Sequence, residues 1–118
     1  MDVKALDDKV NQAVLTGGAL DAFEEFYADD VVMQENSDPP FVGKDVNRKR
    51  EQEFFASVEE FHGGTLAASA VGDDGVTFGE WEYDITFKGM GRVKMNQVAV
   101  RRWKDGKIVS ERFYYNKG

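Results

Sequence analysis

The sequence predicts an α+β domain in which three helices precede an antiparallel sheet. Apolar residues recur every three or four positions up to about Phe61 and every second position from Thr65 onward. A third signal is Asp105-Gly106, set between two alternating runs. It is a two-residue hairpin turn, because both positions tolerate positive φ.

Val3, Leu6, Val10 and Val14 form one stripe on a first helix, which Thr16-Gly17-Gly18 ends. Leu20, Phe23 and Tyr27 mark a short second helix closing at Asp29-Asp30, and Val31–Glu35 follows as a short strand. A third helix begins near Gly43-Lys44-Asp45 and carries Val46, Phe54, Phe55, Val58 and Phe61. Its first half, KDVNRKREQE, is nearly all polar and is expected on the surface. The strands Thr65–Val71, Val76–Phe87, Arg92–Trp103 and Lys107–Tyr115 are separated by glycine-containing turns.

Strand alternation sorts the side chains onto two faces. One face collects Trp81, Tyr83, Ile85 and Phe87, then Met95, Gln97, Ala99 and Arg101, then Val109, Glu111, Phe113 and Tyr115. These sets should meet the helices, with Arg101 toward the rim. The opposite face carries Glu80, Glu82 and Asp84 on one strand and Lys94, Arg102 and Arg112 on its neighbours, with Val98, Val100 and Tyr114 between.

A chain of 118 residues is read as one domain, residues 1–118, with two Trp, four Tyr and nine Phe to fill a core or line a cavity. The net charge of −7 opposes nucleic acid and anionic membranes as partners, and no run approaches the roughly 20 apolar residues of a membrane span. Without cysteine there is no disulfide or thiolate chemistry, which fits a cytoplasmic protein. Asp29-Asp30 and Asp73-Asp74 are turn residues and not a spaced ligand set, so no metal is expected. The glycine-rich segments lack the order of a nucleotide loop, and no cofactor is expected. His62, the single histidine, is placed at the C-terminus of the third helix, where a cation is favoured without catalysis.

The run YADDVVMQENSDPPFVG, Tyr27–Gly43, resembles the SnoaL-like and ketosteroid isomerase-like branch of the nuclear transport factor 2-like superfamily. The resemblance extends from about Leu20 to Asn116. It implies a cone-shaped, curved mixed sheet wrapped around three helices, a small apolar ligand held inside, and a homodimer built on the outer sheet face. Carried over by position, it places Met33, Trp81, Ile85, Met95, Gln97 and Phe113 around the ligand. It also places Glu35 where isomerase-like relatives carry their general-base carboxylate.

Glu35 is expected at the wall of a dry pocket, away from any Lys or Arg, where desolvation makes a carboxylate a stronger base. Tyr83 and Tyr115 are the candidate hydroxyl donors to a developing oxyanion. The positions of the isomerase oxyanion donors hold Asn11 and Ala99, which argues against steroid isomerisation. The epoxide-hydrolase constellation falls on Trp81, Tyr83, Phe113, Met33 and Glu35, none of the required type. Two classes remain open. One is a cofactor-free isomerase, cyclase or dehydratase using Glu35; the other is a non-catalytic ligand-binding or dimerisation domain.

Overall fold

The computed structural model describes residues 2–116; Met1, Lys117 and Gly118 lie outside the described residues. Helix α1 spans Val3–Leu15 and α2 Ala19–Phe26; strands β1, Tyr27–Glu35, and β2, Phe41–Val42, precede helix α3, Lys44–Ala56. Strands β3, Val58–Val71, β4, Val76–Phe87, β5, Gly91–Lys104, and β6, Lys107–Tyr115, complete the chain. The six strands form one curved, unclosed sheet in the order β2-β1-β6-β5-β4-β3. Every pairing is antiparallel except β1 with β6, which makes the sheet mixed. The fold is therefore the α+β cone expected.

Local chemistry accounts for the punctuation. Asp2 caps α1 by accepting from the Ala5 amide at 3.1 Å. Asp105 and Gly106 both take positive φ, 50° and 79°, as the tight β5–β6 turn requires. The core cluster brings Val10 and Phe23 of the helices against Val31, Met33, Trp103 and Ile108 of the sheet.

Three boundaries differ from expectation. Tyr27 leaves α2 in extended conformation (φ −94°, ψ 136°) because it pairs with Ile108, so Tyr27–Asp30 belong to β1 and not to a helix. Helix α3 stops at Ala56, and Val58 and Phe61 lie in β3, where pairing with β4 outweighs the helical spacing. His62 is accordingly a strand residue, 2.7 Å from Thr86 Oγ1 and 2.9 Å from Glu60 Oε2. Gly63-Gly64 sits inside this strand; a side chain at Gly64 would come within 3.2 Å of the Tyr83 ring.

The outer sheet face bears the alternating charges, including an Asp84–Arg92 pair at 2.7 Å, and leaves Phe78, Val98 and Tyr114 exposed. No described helix is long and apolar enough to cross a membrane.

Candidate functional site

Strand register lays the inner face out in rows. Thr77, Arg101, Glu111 and Met33 are aligned across β4, β5, β6 and β1. The next row is Gly79, Ala99, Phe113 and Glu35, and the third is Trp81, Gln97 and Tyr115. Tyr83 pairs with Met95 beyond them.

The first row is a buried polar network. Arg101 donates to Glu111 at 2.8 Å, to Asp7 at 3.0 Å and to Asn11 at 2.6 Å. Tyr27 donates to Glu111 at 2.6 Å, while Thr77 (2.8 Å) and the Trp103 indole (3.2 Å) donate to Asp7. Asp7, Arg101 and Glu111 are each 5% exposed or less, and no buried side-chain nitrogen or oxygen among the described residues lacks a partner. Burial works against the Arg101 charge, but Glu111, Tyr27 and Asp7 more than offset it and hold the guanidinium firmly protonated. Arg101, expected toward the rim, thus lies in the interior. A buried charge is tolerated only where partners of opposite sign surround it.

In the second row Gly79 and Ala99 leave a shallow floor, which the Trp81 indole covers; a side chain at Gly79 would meet its Nε1 at 2.9 Å. Trp81 stacks on Tyr83 with centroids 5.6 Å apart, and Phe61 and Phe54–Phe87 extend an aromatic band around the wide end of the cone. Met33, Trp81 and Ile85 are 2% exposed or less and fill space; Met95, Gln97, Phe113, Tyr83 and Tyr115 are half-buried. Of the expected lining, then, Met33, Trp81 and Ile85 belong to the core, and Met95, Gln97 and Phe113 are half-buried.

Glu35 sits at the end of β1, opposite Phe113. Asn36 fixes that end: it takes φ 51°, its amide donates to the Phe113 carbonyl, and its side chain accepts from the Tyr115 amide. The Tyr115 hydroxyl donates to Glu35 Oε1 at 2.8 Å, and Arg50 Nη2 reaches Oε2 at 3.0 Å. Glu35 is therefore not free of cations, contrary to expectation. The surprise comes from α3, whose polar first half keeps Asp45, Val46, Lys49, Gln52 and Glu53 exposed as expected but turns one polar face inward. Asn47, Arg50, Glu51 and Phe54 share one helix face by their spacing. Asn47 is fully buried and donates to the Phe41 and Gly43 carbonyls at 3.0 and 2.9 Å. Its oxygen accepts from Arg50, whose guanidinium also lies 3.8 Å from the Phe41 ring centroid.

Glu51 is the group that sequence reasoning missed. It is half-buried, forms no ion pair among the described residues, and burial pushes its carboxyl up to about 7. Glu111 and Glu35 add to that rise, and Arg50 opposes it. Burial likewise raises the Tyr83 phenol, and burial with the bond to Glu35 pushes Tyr115 up to about 12, so both hydroxyls keep their protons at neutral pH. The spacing Asn47–Arg50–Glu51–Phe54 was the one signal that could have found this face.

A stability prediction follows for Glu51. The unfolded chain releases this proton near 4.5 and the folded one near 7, so the stability it confers is complete below pH 4.5. It is lost as pH rises to about 7 and is level above that. Glu51→Gln should flatten this decline and raise the stability above pH 7 by up to about 3 kcal/mol, less where water reaches the carboxyl, read as a higher alkaline melting temperature. Parallel melting curves of the two proteins between pH 4 and 8 would contradict the placement.

A family model described as the SnoaL-like domain matches residues 3–115. The chain belongs to the SnoaL-like family. No curated protein matches this sequence. Among solved structures, a candidate SnoaL-like polyketide cyclase from Mesorhizobium loti is 29% identical, with a TM-score of 0.87 over 98% of this chain and 100% of that one. A candidate isomerase from Bacillus subtilis is 16% identical at TM-score 0.83, over 98% and 90% of the two chains. A ketosteroid isomerase-like fold from Catenulispora acidiphila is 19% identical at TM-score 0.73, over 89% and 81%. The last two similarities concern the fold. No group of three or more metal-ligating side chains occurs among the described residues. What the SnoaL-like cone of this chain presents is two carboxyls, Glu35 and Glu51, beside two protonated tyrosines.

Proposed function

We propose that this SnoaL-like protein takes a small, largely apolar carbonyl compound into the wide end of its cone. There it moves a proton on that compound without a cofactor, as an isomerase, cyclase or dehydratase does. The observation that carries this reading is Glu35, with one oxygen held by Tyr115 and the other by Arg50, beside half-buried Gln97 and Phe113. Each carboxylate oxygen has a second lone pair, so both contacts orient the group while leaving capacity to accept a proton from carbon. Tyr83 is the hydroxyl donor for the oxygen that gains charge, because the Tyr115 proton is already committed to Glu35. The neighbour described as a polyketide cyclase candidate, 29% identical, supports the reaction class.

The Arg50–Glu35 pair favours a second reading, in which Glu35 only fastens α3 to β1 and the cone binds its ligand without chemistry. Exchange of the α-protons of 1-tetralone with deuterated water, followed by proton NMR, separates the two. Catalysis predicts deuteration faster than in buffer, falling by about 10²-fold or more in Glu35→Gln. Exchange at the buffer rate in the wild-type protein contradicts it and leaves the binding reading.

A further inference from the structure

We infer that the protein carries a second reactive centre, outside the cone, in which His62 activates the Thr86 hydroxyl for attack on small carboxylic esters. It involves neither Glu35 nor its partners.

The geometry begins with a bulge in β3. Phe61 pairs with Ile85 and Gly63 with Asp84, so His62 is the extra residue, left without a register partner on β4. A bulge of this kind re-aims the side chain that it carries. Here the imidazole reaches across to β4, where its Nε2 lies 2.7 Å from Thr86 Oγ1. Two residues back along β3, Glu60 meets the other nitrogen, with Oε2 2.9 Å from Nδ1. A carboxylate can only accept, so Nδ1 carries the proton of the neutral ring and Nε2 turns its lone pair to the Thr86 hydroxyl. Nucleophile, base and orienting acid in that order are what activates a hydroxyl.

The chain beside His62 is open. Gly63 and Gly64 carry no side chains, and a Cβ at Gly63 would meet nothing within 4 Å. They line a groove of about 490 Å³ together with His62, Asp84, Lys94 and Asn96. A short acyl group fits there next to the imidazole. Asp84 is already engaged by Arg92 through bonds of 2.9 and 2.7 Å, and Lys94 forms no ion pair among the described residues. The Lys94 ammonium and the Asn96 amide are therefore the donors assigned to the ester carbonyl oxygen.

In the step proposed, Thr86 Oγ1 bonds to the ester carbonyl carbon, its proton passes to His62 Nε2, and the carbonyl π pair moves onto oxygen. That pair then returns, the bond to the alkoxy oxygen breaks, and the Nε2 proton goes to the leaving alcohol. A water molecule, deprotonated by Nε2 in its turn, attacks the acyl-threonine, releases the carboxylic acid and restores Thr86. Ester and water are the only reactants in the balance.

The test is hydrolysis of p-nitrophenyl acetate by the wild-type protein, Thr86→Val, His62→Gln and Glu60→Ala, compared with free imidazole at equal concentration. The wild-type protein should exceed imidazole, and peptide mass spectrometry of the quenched reaction should place an acetyl group on Thr86. Thr86→Val and His62→Gln should each lower the rate by about 10²-fold or more. Valine keeps the shape of Thr86 and His62 is exposed, so both variants should melt with the wild type. Glu60 is a positioning residue, read through the ring that it orients. His62 is the single histidine, so nitrogen NMR of the imidazole reports its tautomer alone. Glu60→Ala should move the neutral ring's proton from Nδ1 to Nε2. It should lower the rate by a smaller factor, because the Glu60 side chain is 67% exposed and its hold is screened by water. Hydrolysis no faster than imidazole, acetylation confined to lysines, or the wild-type rate in Thr86→Val overturns the inference.

Discussion

Arg101→Met should lower the stability of the protein by about 3–5 kcal/mol, measured as a fall in the urea midpoint. The guanidinium is 5% exposed and engages Glu111, Asp7 and Asn11 together. Methionine matches the stem but leaves two buried carboxylates facing each other without a cation, and that uncompensated burial dominates the loss. A second substitution, Glu111→Gln, should recover part of it by removing one of the two charges. A single-variant loss under about 1 kcal/mol would mean that water reaches these carboxylates. The network also ties α1 to β4, β5 and β6 through Asp7 and Thr77, so its loss should loosen the helix as well as the sheet.

Trp81→Ala should cost a similar amount, about 3–5 kcal/mol, for a different reason. The indole is 1% exposed, covers Gly79 and stacks on Tyr83. Its removal forfeits apolar burial and leaves a void beside Gly79, which has no side chain to fill it. The same void should make room for bulkier ketones, so binding of 1-tetralone should be kept or strengthened while the melting temperature falls. Unchanged stability would mean that the neighbouring side chains close over the gap.

The sheet was legible because period-2 alternation is a local property. Arg101 and Glu111 were assigned to the helix-facing set on alternation alone, and both face the interior. What alternation could not give was the depth of Arg101, which depends on Asp7 arriving from α1, 94 residues away in sequence. Tyr27 and Val58 were misassigned for a related reason. Each fits a helical spacing locally, and pairing with β6 or β4 overrides it. Glu35 was found by its place at the end of β1, whereas Arg50 and Glu51 were hidden in a stretch so polar that it read as solvent-facing. Amphipathic reading looks for an apolar stripe, and this helix turns a polar stripe, Asn47–Arg50–Glu51, toward a polar wall. Such a face becomes visible only when the carboxylates and phenols opposite it are known.

The central claim is that a small carbonyl compound binds at the wide end of the cone beside Glu35. Labelled methionine methyls test it directly. Met33 lies buried in the row that holds Arg101, Met95 is half-buried beside Tyr83, and Met90 stands on the exposed β4–β5 turn as an internal control. Titration with 1-tetralone should shift the Met95 methyl strongly and Met33 weakly while Met90 stays in place, and Glu35→Gln should keep the pattern. Shifts confined to Met90, or none at saturating ketone, would contradict the claim.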